Sequence, residues 1–584
     1  MSDILVVEDS GENAMRLKIS RSKNSASLYV MKSTYINKIH STKIVEKLGT
    51  YAELKEKLNG QDPIEWANEY IQELNRKEKE EQREIKLKFS PAKQIAKGDQ
   101  RAFNGGCLFL QKIYCELGIP KICSDISQQH KFSFNLDSIL SCLIFGRVIY
   151  PSSKLATCQL SKNFLLQPDF ELQHVYRALE IMTKETDFIQ SAVYKNSLKQ
   201  GKRNTSILYY DCTNYFFEIE EEDGVRQYGI SKEHRPNPIV QMGLFMDGDG
   251  IPLAFNINPG NTNEQITLQP LEQRIISDFQ LSKIVVCTDA GLASVDNRKF
   301  NNVNGRAFIT TQSIKKLKKF LKEWALDSKD WMLQGSKKNY DISEIDEEIY
   351  REKIFYKERW INEDNLEQRL IVTFSIKYRD YQRQIRERQI DRADKAVKSG
   401  AAKLKKCNAN DYKRLIKKTH CTENGEIAEK QSLCIDKEVI ENEMRYDGFY
   451  ASCTNLVDDV NEIIETNKKR WEIEECFRIM KTEFKARPVY LSREDRIKAH
   501  FLTCYLSLIV FRFLEKRLEK KYTCTEIIQG LRNMNFYEVK GEGYVPTYTR
   551  NDFTDDMHSA FGFRTDYQIM TNRQLKKIIK MSTT

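Results

Sequence analysis

Proline and glycine are sparse in this chain, 12 and 25 of its 584 residues, which excludes a collagenous repeat and a wholly disordered chain. Cysteine is not scarce, but its pairing pattern is absent. The 14 cysteines run singly from Cys107 to Cys524 without a C-x-x-C, and the 7 histidines are equally scattered. No zinc finger or disulfide scaffold is expected, and the thiols read as reduced core residues. Long hydrophobic runs are missing as well. The N-terminus MSDILVVEDSGENAMRLKIS has no basic region ahead of an apolar stretch. The best apolar run, LTCYLSLIVF, falls far short of the ~20 residues that cross a bilayer. The expectation is a cytoplasmic chain with no membrane partner. Neither charge sign dominates: Lys plus Arg outnumber Asp plus Glu by 93 to 83, a net +10 that permits a polyanionic partner without pointing to one.

What is present is enough for about three or four domains with sizeable cores, at roughly 150 residues each. Residues 1–95 read as a small unit, with β-prone YVMKSTYINK and STKIVEKLG followed by a charged helix or linker whose basic face either touches DNA or is merely solvated. Residues 96–200 change to helical spacing in LFLQKIYCEL, LDSILSCLIFGRVI and FELQHVYRALEIM. From 201 to 325 the rhythm is β, β, β, α, β, α, β. SILYYDCTNYFFEI, IVQMGLFMD and IPLAFNI form a meander around Gly248-Asp249-Gly250, and IVVCTD is a strand buried on both faces. This order is what a mixed-sheet α/β domain of the ribonuclease H type requires, although several α/β folds share pieces of it. Residues 326–445, with the strand candidate IVTFSIKY, the charged helix candidate Tyr381–Lys406 and a hairpin turn at ENGEI, read as an insertion. Residues 446–520 return to the α/β domain, and 521–584 form a helical, basic tail that either binds DNA or caps the fold.

Asp211 and Asp289 stand at the ends of the two most apolar strands, where loops leave a sheet and ligand sites form. Glu474 is the candidate third oxygen ligand. In NKKRWEIEECFRIMKTEFK, Ile473, Phe477, Met480 and Phe484 define one buried stripe of a helix expected from about Val457 through Thr482. Arg470, Glu474, Arg478 and Lys481 follow on a neighbouring stripe. The same residues also fit solvent groups and an ordinary surface ion pair.

The chain resembles DDE transposases of bacterial insertion sequences, in the subgroup marked Y-x2-R-x3-E-x6-K. Arg470, Glu474 and Lys481 meet the last three elements of that signature, within RWEIEECFRIMK. The first acidic motif matches YYDCTNYFFE, the second VVCTDAGLAS, and the segments around Gly260-Asn261-Thr262 and DGFYASCTN are also similar. The likeness covers roughly 205–311 and 445–515. One position departs from it: Asn467 stands where the signature has tyrosine, so that ring is absent unless Tyr446 or another aromatic replaces it.

The resemblance implies a ribonuclease H-like catalytic domain in which Asp211, Asp289 and Glu474 hold two divalent ions, Mg²⁺ with Mn²⁺ able to substitute. It implies cleavage at element ends and strand transfer, on double-stranded DNA with terminal inverted repeats and on target DNA, by a homodimer in a nucleoid-associated setting. Arg470, Arg478, Lys481, Lys485, Arg487 and Arg493 would meet DNA phosphates, and Trp471 either stacks on a base or packs in the core. Recognition of the terminal repeats is expected from the first 200 residues. Two other readings remain: a structure-selective nuclease of the same fold, and an inactive DNA-binding regulator.

Overall fold

The structure is a computed structural model that describes residues 14–22, 25–36, 39–58, 60–81, 85–86, 90–336, 338–399, 410–421 and 427–583. The chain forms two compact units, residues 1–99 and 100–584. The first holds an antiparallel sheet of Met15–Arg21, Ala26–Ile36 and Ile39–Thr50, then helices Tyr51–Lys57 and Pro63–Glu81. Its small core centres on Leu28, Leu54 and Ala67. The first strand carries no apolar run long enough to announce it, and only its two partners were legible.

The second unit is built on a ten-stranded mixed sheet. Its strands are β1 (Ile207–Phe216), β2 (Ile239–Asp247), β3 (Pro252–Pro259), β4 (Val285–Thr288), β5 (Ala307–Gln312), β6 (Trp331–Leu333), β7 (Asn339–Tyr340), β8 (Phe355–Glu363), β9 (Leu366–Phe374) and β10 (Phe449–Thr454). The spatial order is β7-β6-β8-β9-β10-β5-β4-β1-β2-β3, and only the β1/β4 and β4/β5 pairs are parallel. The meander β1–β2–β3 forms as its alternating pattern requires, with every residue of β2 buried. Helices α1 (Leu268–Asp278) and Val295–Phe300 supply the crossovers between β3, β4 and β5.

The boundary expected at residue 325 falls inside this sheet. Strands β6 to β9 continue it beyond β10, because their buried faces, including Trp331, Phe355, Leu370 and Val372, share one core with Phe308 and Cys453. What leaves the sheet is α2 (Ile376–Lys398), the hairpin Ile416–Cys421 with Ile427–Ile435, and helix Lys437–Met444, which share a small core around Ala393, Leu415 and Ile416. The turn expected at ENGEI lies outside the described residues apart from Ile427, as does the continuation of α2 over 400–406. Of the strand candidate IVTFSIKY, IVTF completes β9, whereas SIKY starts α2 with Ser375 as its N-cap. Asp447 fastens α2 to β10 by accepting both guanidinium nitrogens of Arg386, one at 2.6 Å.

The helix expected over 457–482 is broken. It comprises α3 (Val460–Lys468) and α4 (Trp471–Arg478), joined at Lys469–Arg470 by i to i−3 hydrogen bonds such as Arg470 N–H to Asn467 O at 3.2 Å. A π-helical turn, Ile479–Glu483, follows. The β2–β3 turn clamps α4: Arg512 donates to Gly250 O at 2.8 Å and to Glu472 Oε2 at 2.9 Å. Gly250 has φ +83°, and a Cβ there would stand 2.0 Å from Glu472 Oε2, so the clamp requires glycine. Arg512 belongs to α5 (Glu494–Arg517), whose length and composition would suit a membrane crossing, beyond the apolar run seen in sequence. Since 89% of that apolar stretch is buried inside the protein, it serves as a core helix, packed on helices Leu136–Ile149 and Leu172–Lys184.

The C-terminal segment returns to the helical region. Asn535–Val539 pairs with Ala102–Asn104, and the amphipathic helix Asn572–Thr583 lays Leu575 and Ile578 against helix Cys107–Glu116. Among the described cysteines, all are unpaired and nine are buried.

Lys154 is a cation buried in the helical region. It is 6% exposed and its Nζ has no hydrogen-bond partner. Burial, reinforced by the Arg147 charge, pushes its pKa down to about 7. Between about 7 and the unfolded value near 10.4 the unfolded chain binds a proton that the folded chain lacks, so stability rises with pH in that window. Lys154→Met is expected to raise stability at pH 7 by ~2 kcal/mol, with the gain shrinking toward pH 10. Denaturant unfolding of both chains across that pH range checks it.

Candidate active site

The parallel register of β1 and β4 sets Ile207 against Val285 and Tyr209 against Cys287; carried two residues further it sets Asp211 against Asp289. The β4/β5 register, Thr288 against Thr310, continues the row to Thr311, which faces Ser452 of β10. Residues in one row project to one face of a sheet, and neighbouring strands lie ~4.8 Å apart. The two carboxylates are therefore held side by side. Asp211 accepts the Cys212 N–H at 2.7 Å, and Asp289 Oδ1 accepts Gly291 N–H at 3.0 Å and Leu292 N–H at 3.1 Å, which fixes the loop after β4.

Burial, with the Asp289 charge added, pushes Asp211 up to about 6 against the opposing pull of Lys232, the Cys212 N–H and Arg470. Glu474 lies on α4, and Arg470 Nη1 stands 3.3 Å from its Oε1. The Arg470 charge reaches Asp211 while its guanidinium pairs with Glu474. Glu474 is 58% exposed by side chain, whereas Ile473, Phe477, Met480 and Phe484 are buried on the opposite stripe as their spacing predicts.

The cationic stripe does not stay together. Arg478 turns outward to Glu475 at 2.5 Å. Lys481, beyond the start of the wider π turn, lies inward over the Tyr215 ring at 5.6 Å, and burial with the Lys232 charge pushes it down to about 8. Lys481 Nζ is 3.3 Å from Glu233 Oε1, and Arg487 pairs closely with the other oxygen of Glu233. Lys485 is exposed, Arg493 pairs with Asp495 and Glu180, and Trp471 is 59% exposed rather than in the core.

Two sets of residues escaped the sequence reading. The loop after β1 brings Lys232 and Glu233 over the carboxylates: Lys232 donates to Cys212 O and pairs with Glu264 at 3.1 Å. Burial disfavours its charge, but Asp211 and Glu264 outweigh that and raise its pKa. Asn214 Nδ2 holds this loop through Ile230 O at 3.0 Å. The second set is the hydroxyl chain beside Asp289. Tyr450 OH is in close contact with Thr311 Oγ1 and accepts from Asn467 Nδ2 at 3.3 Å. Asn467 is thus tied to a phenol from β10, while Tyr446 lies under Lys315 instead.

Asp211, Asp289 and Glu474 offer only oxygen donors, and the first two repel one another across adjacent strands, so the set fits a hard divalent cation. The oxygens of Asp211, Asp289 and Glu474 do not all lie within 4.8 Å of one another, whereas ligand atoms of Asp555, His558 and Asp566 do. That group does not fit one: Arg550 and Arg564 already neutralise both carboxylates. Thr565 N–H donates to His558 Nε2 at 3.1 Å, which leaves the proton on Nδ1, the nitrogen facing Asp566 at 3.7 Å.

The sequence matches the transposase DDE domain family over residues 216–510. No curated protein matches the chain. Among solved structures, a piggyBac transposase synaptic complex with hairpin DNA aligns with 83% of this chain and 88% of its own, at TM-score 0.35 and 9% identity. A Mos1 transposase paired-end complex with left transposon end aligns with 30% and 59%, at TM-score 0.13 and 12% identity. Overlaps this loose fix neither the fold nor the site.

Asp289→Asn keeps the acceptor that holds the loop and removes the charge beside Asp211. Because the folded pKa of Asp211 lies above its unfolded value near 3.9, its ionisation costs stability as pH rises from about 4 through 6. Without divalent ions the variant should therefore unfold ~0.5–1 kcal/mol later than wild type above pH 6, the difference fading toward pH 4. Stabilisation by an added divalent ion, read in scanning calorimetry as a rise in Tm of wild type, is expected to be lost in the variant.

Proposed function

The chain belongs to the transposase DDE domain family, and from that premise we propose that it is an insertion-sequence transposase which cleaves DNA at element ends and joins the freed strand to a target. The observation that carries this reading is the side-by-side register of Asp211 and Asp289, with Glu474 linked to them through Arg470. The sheet order and the crossovers agree with a ribonuclease H-like catalytic core in which these three carboxylates are the catalytic set.

Divalent ions, Mg²⁺ or Mn²⁺, would supply charge neutralisation at the phosphate and an acidified attacking hydroxyl. The protein's share is positioning. Asp211 and Asp289 hold their oxygens at fixed spacing because β1 and β4 cannot slide. Glu474 comes from a helix clamped at Glu472, so its approach is set by α4 rather than by a loop. Lys481 and Arg487 face the same side as Lys232, where a phosphate would replace Glu233 as their counter-ion. Tyr450, held by Thr311 and Asn467 two strands beyond Asp289, orients a phosphate oxygen with its hydroxyl in place of the tyrosine missing at 467. The partners under this reading are double-stranded DNA with terminal inverted repeats, target DNA and a second copy of the chain in the DNA complex.

The test is Mg²⁺- or Mn²⁺-dependent cleavage and joining of supercoiled DNA that carries the gene's own flanks. Wild type should cut at both boundaries and join the ends. Asp289→Asn and Glu474→Gln should each lose at least ~10²-fold in rate, and Tyr450→Phe about 10-fold with unchanged stability. Cutting of branched DNA without regard to the flanks would instead assign a structure-selective nuclease. Specific binding without cleavage would assign a regulator.

A further inference from the structure

Away from the carboxylates, the loop Lys131–Phe134 and the helix Leu172–Lys184 enclose an open cleft of about 410 Å³. Phe132 stacks on Phe134 with ring centroids 4.5 Å apart, and Phe134 stacks on His174 at 5.7 Å. Both phenylalanines pack against the main core, so the loop is pinned to the helix.

The charge around the cleft is unbalanced. Lys131, Arg177 and Lys184 line it, are exposed, and have no ion pair among the described residues. The nearby carboxylates are already engaged. Glu180 Oε1 is 3.0 Å from both Arg493 and Arg496, Asp495 takes Arg493 at 2.5 Å, and Glu185 faces His130 at 2.7 Å. By contrast Arg478, Lys481, Arg487 and Arg493, singled out along the helix path, all have internal counter-ions. Three unpaired cations converging on a concave surface repel one another and favour a polyanion that bridges them.

We propose that this cleft binds the phosphodiester backbone of double-stranded DNA, a second contact on the same substrate as the carboxylate site. It rests on the functional reading above. Lysine and arginine neutralising phosphates act without regard to base sequence, so the contact supplies affinity and register rather than recognition of an end. Each neutralised phosphate contributes ~0.9 to the slope of log affinity against log salt.

The experiment is fluorescence anisotropy of the full chain on two duplexes of equal length, one from the gene's flanks and one of random sequence, over a range of salt. The triple variant Lys131→Gln, Arg177→Gln, Lys184→Gln should flatten the slope by about 2–3 and weaken binding roughly 100-fold near 0.15 M salt, equally on both duplexes. The comparison variant Lys121→Gln, Lys377→Gln, Lys398→Gln removes three exposed cations that already have partners, and should change the slope little. An unchanged slope in the first variant overturns the proposal. So does unchanged DNA binding with lost affinity for polyglutamate, which would assign the cleft to an acidic polypeptide. A wild-type chain that binds DNA through the cleft but never cleaves it supports the proposal and overturns the functional reading, whereas no salt-dependent DNA binding overturns both.

Discussion

Asp211 and Asp289 repel each other, and the ladder between β1 and β4 keeps them together. Backbone hydrogen bonds cannot slip by one residue without turning Leu208, Tyr210, Val286 and their neighbours to the wrong face, which fixes the spacing of the carboxylates as firmly as the core itself. Much of the second unit serves that register. β2 and β3 cover one side of β1, β5 covers the far side of β4, and α5 runs through the core beneath the meander, fastened by Tyr505 OH to Leu253 O at 2.7 Å. The Gly250–Arg512–Glu472 clamp extends the constraint to α4, so the third carboxylate is positioned by the same meander that positions the first.

The parts of this arrangement that lie within one strand or one helix were legible in the sequence. The meander, IVVCTD and the buried stripe of α4 carry a local period, and Asp289 a strand-end position, that need no knowledge of neighbours. Asp211, expected at a strand end, lies within β1, which runs on to Phe216 because residues 212–216 stay paired with β2. Strands β6 to β8 were not legible as sheet, whereas IVTF marks the end of β9. β6 and β7 are three and two residues long, too short for a period, and β8 alternates with Lys357, Glu358 and Arg359 at its centre. Lys357 is buried there only because its ammonium donates to Asp327 O at 2.8 Å and sits over Trp331 at 4.9 Å, a solution that exists in three dimensions alone.

The same distinction separates the candidate residues read from the sequence from those that the structure adds. Glu474 follows from helical phase. Tyr450 does not, because its relation to Asp289 runs through the cross-strand neighbour Thr311, and its relation to Asn467 depends on how α3 crosses the sheet. Lys232 and Glu233 sit in an ordinary polar loop, SKEHR, whose importance comes from Asn214 and Ser231 folding it back over β1. The break between α3 and α4 was equally hidden: NKKRW contains no proline or glycine, and the change to i to i−3 bonding arises where the Asn467 side chain turns to Tyr450 of the sheet.

Charge is where a one-dimensional reading is weakest. A run of lysines and arginines along 470–498 looks like a single cationic surface, but its members divide according to the counter-ion each meets. Arg478 and Lys498 are held by carboxylates on their own helices, Lys481 and Arg487 by one glutamate from a distant loop, and Arg493 and Arg496 by Glu180 of another helix. An exposed pair within one helix is worth only a few tenths of a kcal/mol and yields readily to salt or phosphate. Glu233, half-buried between two cations, costs more to displace, because whatever replaces it must itself lose water. Neutralisation of that kind leaves the inner cations selective for a ligand that brings both charge and fit. The peripheral ones respond to charge alone.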